Sequence, residues 1–492
     1  MELAKFSKHN ILSITILIFS TVFALWQHST GYSWDFSGYT VNARPDGAIF
    51  EWARPPLASA IMFILGNGSL ASEYLYIIFV SLFYFYSSFV LSRKYSIDFT
   101  HYYVFAMSFF TIINAFNVGT ELLSLALLQL MIAYICMTPK GVGSLNNKHE
   151  TKNSILSGVF FGLSLLARYT NLAFVILFIF QKNIKKILLS LIITLLVLTP
   201  WLAFNYAYTG DPLLSIAESY ALNIKYRTAI QQFNALDVLL VMNFVLPFFV
   251  LGIIKFRSQL LKNKEKLLMI VLFVIAIIFY IRTPLKEPRY MLAAIIPGAY
   301  FASLFLGQYK KYIYLIAAVN VVVVMLLLPT TQLGSPSPYL NFIANEKWLT
   351  DAESVNHSCS IRSNAWVALG YYGVPSDAYP WQDALPSALE EGYTVVLFKY
   401  NPEPLYLHNR SFVDKYKTVE TPQYVILDNP ANCKPAEKRI DVSYFKIRGE
   451  GMFYENGTIL DKRSCAVFIS PSFCDAIGWE KQADQKALYN NP

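Results

Sequence analysis

Residues Lys185–Phe204 read KKILLSLIITLLVLTPWLAF, an apolar run that starts at two lysines and contains no acidic residue. A helix of about 20 such residues is long enough to span the hydrocarbon core of a bilayer. Eight further apolar runs share this character: Ile11–Gln27, Tyr74–Leu91, Tyr103–Asn117, Leu122–Met137, Val238–Ile254, Leu267–Tyr280, Met291–Leu306 and Tyr312–Leu328. The chain is therefore predicted to cross a membrane many times.

One more apolar stretch, from Ser154 to Phe180, is too long for a single helix. It is interrupted by the polar run Arg168-Tyr169-Thr170-Asn171. We predict two helices that meet at a polar hairpin, which raises the expected total to about eleven membrane helices.

The composition excludes an ordinary soluble enzyme, because 55% of the 492 residues are hydrophobic and only 15% are charged. The net charge of +8 does not indicate a nucleic-acid partner. The basic residues of the chain concentrate in alternate short loops, which the positive-inside rule assigns to the cytoplasm. These loops contain Lys5 and Lys8, Arg93 and Lys94, Lys140, Lys148 and Lys152, Lys182, Lys185 and Lys186, the cluster from Lys255 to Lys266, and Lys310 and Lys311.

This pattern predicts a cytoplasmic N-terminus, and no small-residue cleavage site follows Lys8, so the first helix is expected to be retained. An odd number of spans then places the C-terminal region outside. We predict a membrane domain over residues 1–329 and an extracytoplasmic α/β domain over residues 330–492, in which strands alternate with helices. The predicted strands are Thr394–Tyr400, Gln423–Asp428 and Ala466–Ser470, and a helix is predicted at Phe412–Lys417.

Four of the five cysteines fall in this C-terminal region, and the fifth, Cys136, lies in an apolar run. An even number outside the membrane is compatible with two disulfides or with free thiols, and both alternatives stay open. The four are Cys359, Cys433, Cys465 and Cys474, and the region also contains N-x-S/T sequons at Asn356, Asn409 and Asn456.

Ionisable residues concentrate at the predicted outer ends of helices. A charged group near lipid is energetically costly, so such residues usually have a function. In the first outer loop, Asp35 lies among aromatic residues and could accept a proton from an incoming hydroxyl group. The alternative is an interfacial aromatic belt in which Asp35 only caps a helix. The same loop supplies further candidate ligands: Tyr39, Asp46, Glu51 and Arg54.

Later outer segments supply the cations that an anionic ligand would need. Arg168 has no obvious counter-charge nearby in sequence, and the polar loop Arg282-Thr283-Pro284-Leu285-Lys286-Glu287-Pro288-Arg289-Tyr290 contains three cations and an acid. Arginine binds phosphate through two parallel hydrogen bonds and stays charged in any environment. The alternatives are a helix-end pair between Glu287 and Arg289, and a helix-start role for Glu121 that the macrodipole favours. The candidate ligands from these segments are Glu121, Arg168, Tyr169, Lys286, Arg289 and Tyr290.

Several of these segments resemble the GT-C glycosyltransferases, especially the protein-mannosyltransferase and aminoarabinose-transferase-like branch. The similar segments are Asp35 to Arg54-Pro55-Pro56-Leu57, Gly162 to Thr170, Pro200-Trp201 with Tyr208 to Pro212, and Glu287-Pro288-Arg289-Tyr290. The resemblance covers about residues 1–328 and implies a GT-C fold in which Asp35 is the catalytic carboxylate. It implies that Arg168 and Arg289 hold the phosphate of a lipid donor. Many relatives have a pair of acids where this chain has Asp35-Phe36, so the second carboxylate would be Glu51 or Asp46.

Together these observations predict a membrane glycosyltransferase that moves a sugar from a polyprenyl-phosphate donor to a hydroxyl acceptor in a protein, lipid or glycan. No cofactor is indicated, and dependence on a divalent metal stays open. The rival from another class is a transporter or lipid flippase, but transporters favour repeated halves and charges at the membrane midplane. A scaffold or sensor with an outer domain is a second rival, and it should tolerate Asn in place of Asp35.

Overall fold

The computed structural model describes residues 8–442 except for several gaps. The segments outside it are 117–118, 136–146, 221–222, 224–231, 332–358, 379–384, 400–404 and 437–439, with single positions 32, 46, 48, 182, 285, 308, 310, 372, 423 and 430. Within the described part, long helices dominate up to residue 330, and a mixed sheet follows from residue 359.

Apolar sequence and polar caps together set the helix boundaries. The helix at Ile184–Thr209 starts where the side chain of Asn183 accepts a hydrogen bond from the Lys186 N–H, and it ends at Gly210 in the left-handed conformation. The helices up to residue 220 are α1 (Lys8–Ser29), α2 (Trp34–Asn42), α3 (Leu57–Gly66), α4 (Leu70–Lys94), α5 (Phe99–Ala106), α6 (Phe109–Asn114), α7 (Glu121–Ile135), α8 (Asn147–Ala167), α9 (Ile184–Thr209) and α10 (Leu214–Tyr220). The remaining helices before the sheet are α11 (Ala235–Met242), α12 (Val245–Phe256), α13 (Lys264–Arg282), α14 (Ile295–Leu306) and α15 (Tyr312–Leu327), with 3-10 helices at Tyr169–Phe180, Arg257–Gln259, Pro288–Ala294 and Leu328–Thr330.

Five of the described helical segments are long and apolar enough to cross a membrane. They are Ile11–Ser29, Leu70–Lys94, Ile184–Thr209, Pro288–Leu306 and Tyr312–Thr330, and the bent pair α11–α12 would form a sixth. The chain is thus a multi-pass membrane protein. The count of eleven spans stays a prediction.

Two predicted spans are interrupted in the structure, in each case at a position where an asparagine side chain makes hydrogen bonds. The run predicted at Tyr103–Asn117 is broken at Met107, whose carbonyl accepts a hydrogen bond from Asn320 Nδ2 at 2.7 Å. The run predicted at Val238–Ile254 bends by 91° at Asn243, which adopts a positive φ. In contrast, the predicted break at Arg168 is confirmed, since α8 ends at Ala167 and a 3-10 helix follows.

The C-terminal unit, which we define as the described residues between 359 and 442, contains the strands β2 (Ile361–Ser363), β3 (Ser376–Ala378), β4 (Thr394–Phe398), β5 (Lys417–Glu420) and β6 (Tyr424–Leu427). They form a five-stranded sheet of order β3-β2-β4-β6-β5. Strands β3, β2 and β4 are parallel, and β4, β6 and β5 are antiparallel. A disulfide joins Cys359 to Cys433, while Cys136, Cys465, Cys474 and the strand predicted at Ala466–Ser470 lie outside the described residues. The helices of this unit are α16 (Trp366–Tyr371), α17 (Leu385–Glu390) and α18 (Arg410–Tyr416), with a 3-10 helix at Leu405–His408.

A second, two-stranded sheet joins the membrane part to the C-terminal unit. Strand β1 (Ile49–Glu51) pairs in parallel with β7 (Ile440–Val442), so that Ile49 lies opposite Ile440 and Glu51 lies opposite Val442. The segment that contains β1 therefore sits where the two parts of the protein meet.

Candidate functional site

The site loop, residues 33–54, places two carboxylates beside one arginine. Helix α2 starts at Ser33, whose side chain accepts a hydrogen bond from the Phe36 N–H, so Asp35 falls in the first turn, where the macrodipole favours an acid. Ser33, and not Asp35, is the cap. Glu51 ends strand β1, sixteen positions further along the chain.

Asn42 fixes the position of Glu51 through the backbone. Its Nδ2 donates to the Glu51 carbonyl at 2.9 Å, and its Oδ1 accepts from the Glu51 N–H at 2.8 Å. This reciprocal pair satisfies a backbone donor and acceptor in a partly buried turn. Asn42 was not singled out from the sequence, because nothing in its local pattern indicates a partner nine residues away.

Arg54 lies between the two carboxylates. Its Nη1 donates to Asp35 Oδ1 at 2.5 Å, and its Nε donates to Glu51 Oε2 at 2.7 Å. The guanidinium also lies over the Tyr39 ring, 5.4 Å from the centroid. The loop residues Asp35, Tyr39, Glu51 and Arg54 therefore form one connected group.

Two arginines from distant segments join this group. Arg289 Nη1 donates to Asp35 Oδ2 at 3.2 Å and lies 3.7 Å from Glu121 Oε1. Arg168 Nη1 is 2.6 Å from the same Glu121 oxygen, and its guanidinium lies 5.6 Å from the Tyr290 ring centroid. Asp35, Glu121, Arg168 and Arg289, all candidate residues from the sequence, thus lie in one connected network of ion pairs, and their roles stay predictions. We define these four residues with Glu51 and Arg54 as the acid–arginine cluster.

The sequence left the partner of Arg168 open, and the structure supplies Glu121. Glu121 also starts helix α7, so the helix-start position predicted for it is correct and coexists with the ion pairs. The pair between Arg289 and Glu287 is present as well, in contact with the same arginine that reaches Asp35. Local pairing and long-range convergence are therefore both features of this site.

Asp35 and Glu51 lie outside the candidate spans and differ in acidity. Burial opposes ionisation of Asp35, but Arg54 and Arg289 outweigh it and lower its pKa to about 2. Burial raises the pKa of Glu51, and Arg54 offsets only part of that effect. Asp35 is consequently a carboxylate at neutral pH whose basicity the arginines suppress.

A small, partly open cavity lies against the cluster. Its polar wall contains Glu121, Arg168 and Arg289, and its apolar wall includes Phe174 and Leu292. Ligand sites typically combine an apolar lining with a few convergent polar groups. The two arginines make this wall suitable for binding an anionic group.

The remaining candidate ligands lie away from these contacts or outside the described residues. The Tyr169 hydroxyl lies 2.6 Å from the Ser215 hydroxyl and accepts a hydrogen bond from Trp201 Nε1 at 2.8 Å. Lys286 Nζ donates to the carbonyls of Tyr280 and Ile281, at the end of helix α13. Asp46 lies outside the described residues. Roles for these three in binding stay predictions.

Gly38 is a site residue that sequence reasoning missed. A Cβ atom added to it would lie 2.1 Å from Glu51 Oε2 and 3.0 Å from Arg54 Nε, so only glycine leaves room for this ion pair against α2. A glycine in a helix interior costs about 1 kcal/mol relative to alanine, which was the available signal. Among the residues that the structure describes, no group of three or more His, Cys, Asp or Glu could hold a metal ion.

With this geometry in place, structural comparison shows that the chain has the fold of the GT-C enzymes. ArnT from Cupriavidus metallidurans, an aminoarabinose transferase whose crystal structure contains undecaprenyl phosphate, matches with a TM-score of 0.55 and 10% sequence identity, over 86% of this chain and 98% of that chain. The oligosaccharyltransferase from Archaeoglobus fulgidus in its apo form matches with a TM-score of 0.50 and 11% identity, over 81% of this chain and 70% of that chain. No protein-family model and no curated protein matches the sequence.

Proposed function

We propose that the chain is a membrane glycosyltransferase that moves a hexose or pentose from a polyprenyl-phosphate donor to a hydroxyl acceptor. The observation that carries this proposal is the acid–arginine cluster at the wall of a cavity, with Asp35 and Arg289 in direct contact. The shared fold with an enzyme crystallised with undecaprenyl phosphate supports the choice of donor.

Arg168 and Arg289 would bind the donor phosphate. Both line the cavity, and both guanidinium groups already bind a carboxylate oxygen of Glu121. A phosphate group is also an anion that accepts parallel hydrogen bonds from arginine, so it can take the place of the Glu121 carboxylate. Donor binding would then exchange internal ion pairs for contacts to the phosphate.

Asp35 would accept the proton of the acceptor hydroxyl group. The acceptor oxygen attacks the anomeric carbon, the bond from that carbon to the phosphate oxygen breaks, and the leaving phosphate keeps the electron pair. The products are a glycosylated acceptor, a polyprenyl phosphate and a protonated Asp35. If the donor phosphate draws Arg289 away from Asp35, one of the two cations that suppress its basicity is removed, and its pKa rises toward the range useful for a general base.

Glu51 would orient this reaction rather than perform it. It shares Arg54 with Asp35 and is largely buried, so its carboxylate holds the Nε side of Arg54 while the Nη1 group contacts Asp35. This assignment supplies the second carboxylate that the resemblance to GT-C enzymes requires.

We further propose that the reaction takes place on the extracytoplasmic face, with about eleven spans and the C-terminal unit outside. The alternation of basic loops supports a cytoplasmic N-terminus. The disulfide between Cys359 and Cys433 supports an oxidising compartment for the C-terminal unit.

The proposal is tested by adding purified protein in nanodiscs to polyprenyl-phosphate sugars that differ in the sugar. We expect protein-dependent release of polyprenyl phosphate with at least one donor, and transfer of the sugar to an acceptor hydroxyl or, slowly, to water. Movement of intact donor across a bilayer without cleavage would favour the flippase alternative and contradict the proposal.

A further inference from the structure

The back of the site loop is covered by the C-terminal unit. A buried cluster at this contact joins Val41 and Ile49 of the loop to Trp366, Val367 and Ala378 of the unit, each with 7% exposure or less. Trp34, next to Asp35, meets Trp366 edge-on with the ring centroids 6.3 Å apart. The unit therefore packs against the same loop that contains two of the carboxylates.

Strand pairing makes this contact specific in register. Strand β1 has three residues, and β7 is its partner in a two-stranded sheet. An isolated strand of this length is not stable in water, so β1 needs the pairing with β7 to keep an extended shape. Glu51, opposite Val442, is the last residue of that strand, which ties its backbone position to the C-terminal unit.

Arg44 and Tyr371 add a polar contact between the site loop and the C-terminal unit. The Arg44 guanidinium donates to the Tyr371 carbonyl and lies 4.7 Å from the centroid of its ring. The Tyr371 hydroxyl donates to Glu73 Oε1 at 2.8 Å, and Glu73 Oε2 lies 2.8 Å from His28 Nε2. Tyr371 thus connects the loop to helices α1 and α4 of the membrane part.

We infer that the C-terminal unit is a positioning element of the site, holding the site loop from behind so that Asp35 and Glu51 stay aligned with Arg54. The unit itself contributes none of the cluster residues. A displacement of about 1 Å in a reacting group can reduce the rate about 10²-fold, so a unit that only fixes the loop can still control turnover. The turnover part of this inference rests on the proposed function, whereas the loop-ordering part does not.

Gly370 gives a direct way to test the contact. A Cβ atom added to Gly370 would lie 2.4 Å from Ile49 Cδ1 and 2.5 Å from Ile49 Cγ1, so a larger side chain pushes the unit away from β1. Ile49→Ala removes both of these atoms and should relieve the clash. The matched control is Asp414→Ala, which changes an exposed residue of the same unit that pairs with Lys417.

The experiment measures amide hydrogen exchange of the full-length protein in nanodiscs by mass spectrometry, together with turnover. In Gly370→Val we expect faster exchange in peptides that cover residues 34–54, and about 10²-fold lower turnover with little change in the donor KM. The double variant Gly370→Val with Ile49→Ala should regain much of the wild-type turnover and of the slow exchange in residues 34–54. Asp414→Ala should match wild type in both measurements. If Gly370→Val cannot be purified as folded protein, Gly370→Ala makes the same clash with a smaller group and is expected to show the same changes to a lesser degree.

Wild-type exchange across residues 34–54 in a folded Gly370 variant would overturn the inference, whatever its turnover. If the wild-type protein releases no polyprenyl phosphate from any donor, the proposed function fails, and the exchange measurement still decides whether the unit orders the loop. Faster exchange with unchanged turnover would overturn the positioning role while retaining the contact.

Discussion

Arg289 donates a hydrogen bond to Asp35 across a separation of 254 residues, and Arg54 binds the other oxygen of the same carboxylate. Asp35 is therefore shared by one arginine of its own loop and one arginine from a segment much later in the chain. Among the cluster residues, three arginines face three carboxylates. The site is close to charge balance before any ligand binds, which has consequences for how an anion enters it.

Glu121 should compete with the donor phosphate, because it is bound to both arginines that the phosphate would use. We expect Glu121→Gln to tighten binding of undecaprenyl phosphate about tenfold, which corresponds to about 1.4 kcal/mol. The same variant should be less stable to heat, because it leaves two partly buried arginines with one fewer counter-charge. The measurement is lipid titration in nanodiscs, with Asp237→Asn as the control carboxylate. Weaker binding in Glu121→Gln would mean that Glu121 holds the arginines in place for the phosphate instead of competing with it.

Arg289→Ala should weaken donor binding by tenfold or more, because it removes a charge-assisted contact to the phosphate. The matched control is Arg282→Ala, which changes an exposed arginine of the same polar loop and should bind like wild type. Lys286→Ala in the same titration decides whether Lys286 reaches the ligand or only caps helix α13. Equal affinities for Arg289→Ala and Arg282→Ala would exclude Arg289 from phosphate binding.

Gly38→Ala should lower turnover about 10–100-fold, since its methyl group would displace the Glu51 carboxylate that lies in the space left by the glycine. In a Glu51→Ala background the carboxylate is absent, so adding Gly38→Ala should lower turnover little further. Gly307→Ala is the control, because a Cβ there meets no atom closer than 3.3 Å. Equal losses from Gly38→Ala in both backgrounds would place its effect outside the Glu51–Arg54 pair.

The pH dependence of stability should reveal the ion pairs of Asp35. The pKa of Asp35, about 2, lies below the ordinary value of 3.8. Its contribution to stability is therefore fully present above about pH 4 and is lost as the pH falls from 4 toward 2. The difference in Tm between wild type and Asp35→Asn should be constant from pH 5 to 8 and should shrink as the pH falls below about 4. A difference that already declines between pH 8 and 6 would show that another group titrates with Asp35.

The sequence indicated that these acids and arginines are functional because charge is costly near lipid and is usually kept for a function, and that argument needs no contact information. It offered the local pair of Glu287 with Arg289, which is present, but it could not predict the long-range pairs. Arg168 has no acidic neighbour in sequence, and its partner Glu121 begins a different helix. Arg168 was expected to bind an anionic ligand, whereas it already binds a carboxylate.

The breaks in helices show the same division between local and long-range signals. The break at Arg168 was predicted because a polar run interrupts an apolar one. The bend at Asn243 was missed because the apolar pattern continues through it, and the Asn243 side chain donates to Ser108, 135 residues away. The hydrophobic pattern of a sequence cannot reveal a residue whose unusual conformation depends on a distant partner.

The most direct measurement of the central claim is sugar transfer from a polyprenyl-phosphate donor by Asp35→Asn, beside wild type, in nanodiscs. Asparagine keeps the size of the side chain but cannot take up the acceptor's proton, and general-base catalysis contributes about 10²–10⁴-fold. We predict a loss of turnover in that range, with the protein folded and undecaprenyl phosphate still bound. Unchanged turnover in folded Asp35→Asn would contradict the account and remove Asp35 from the chemistry.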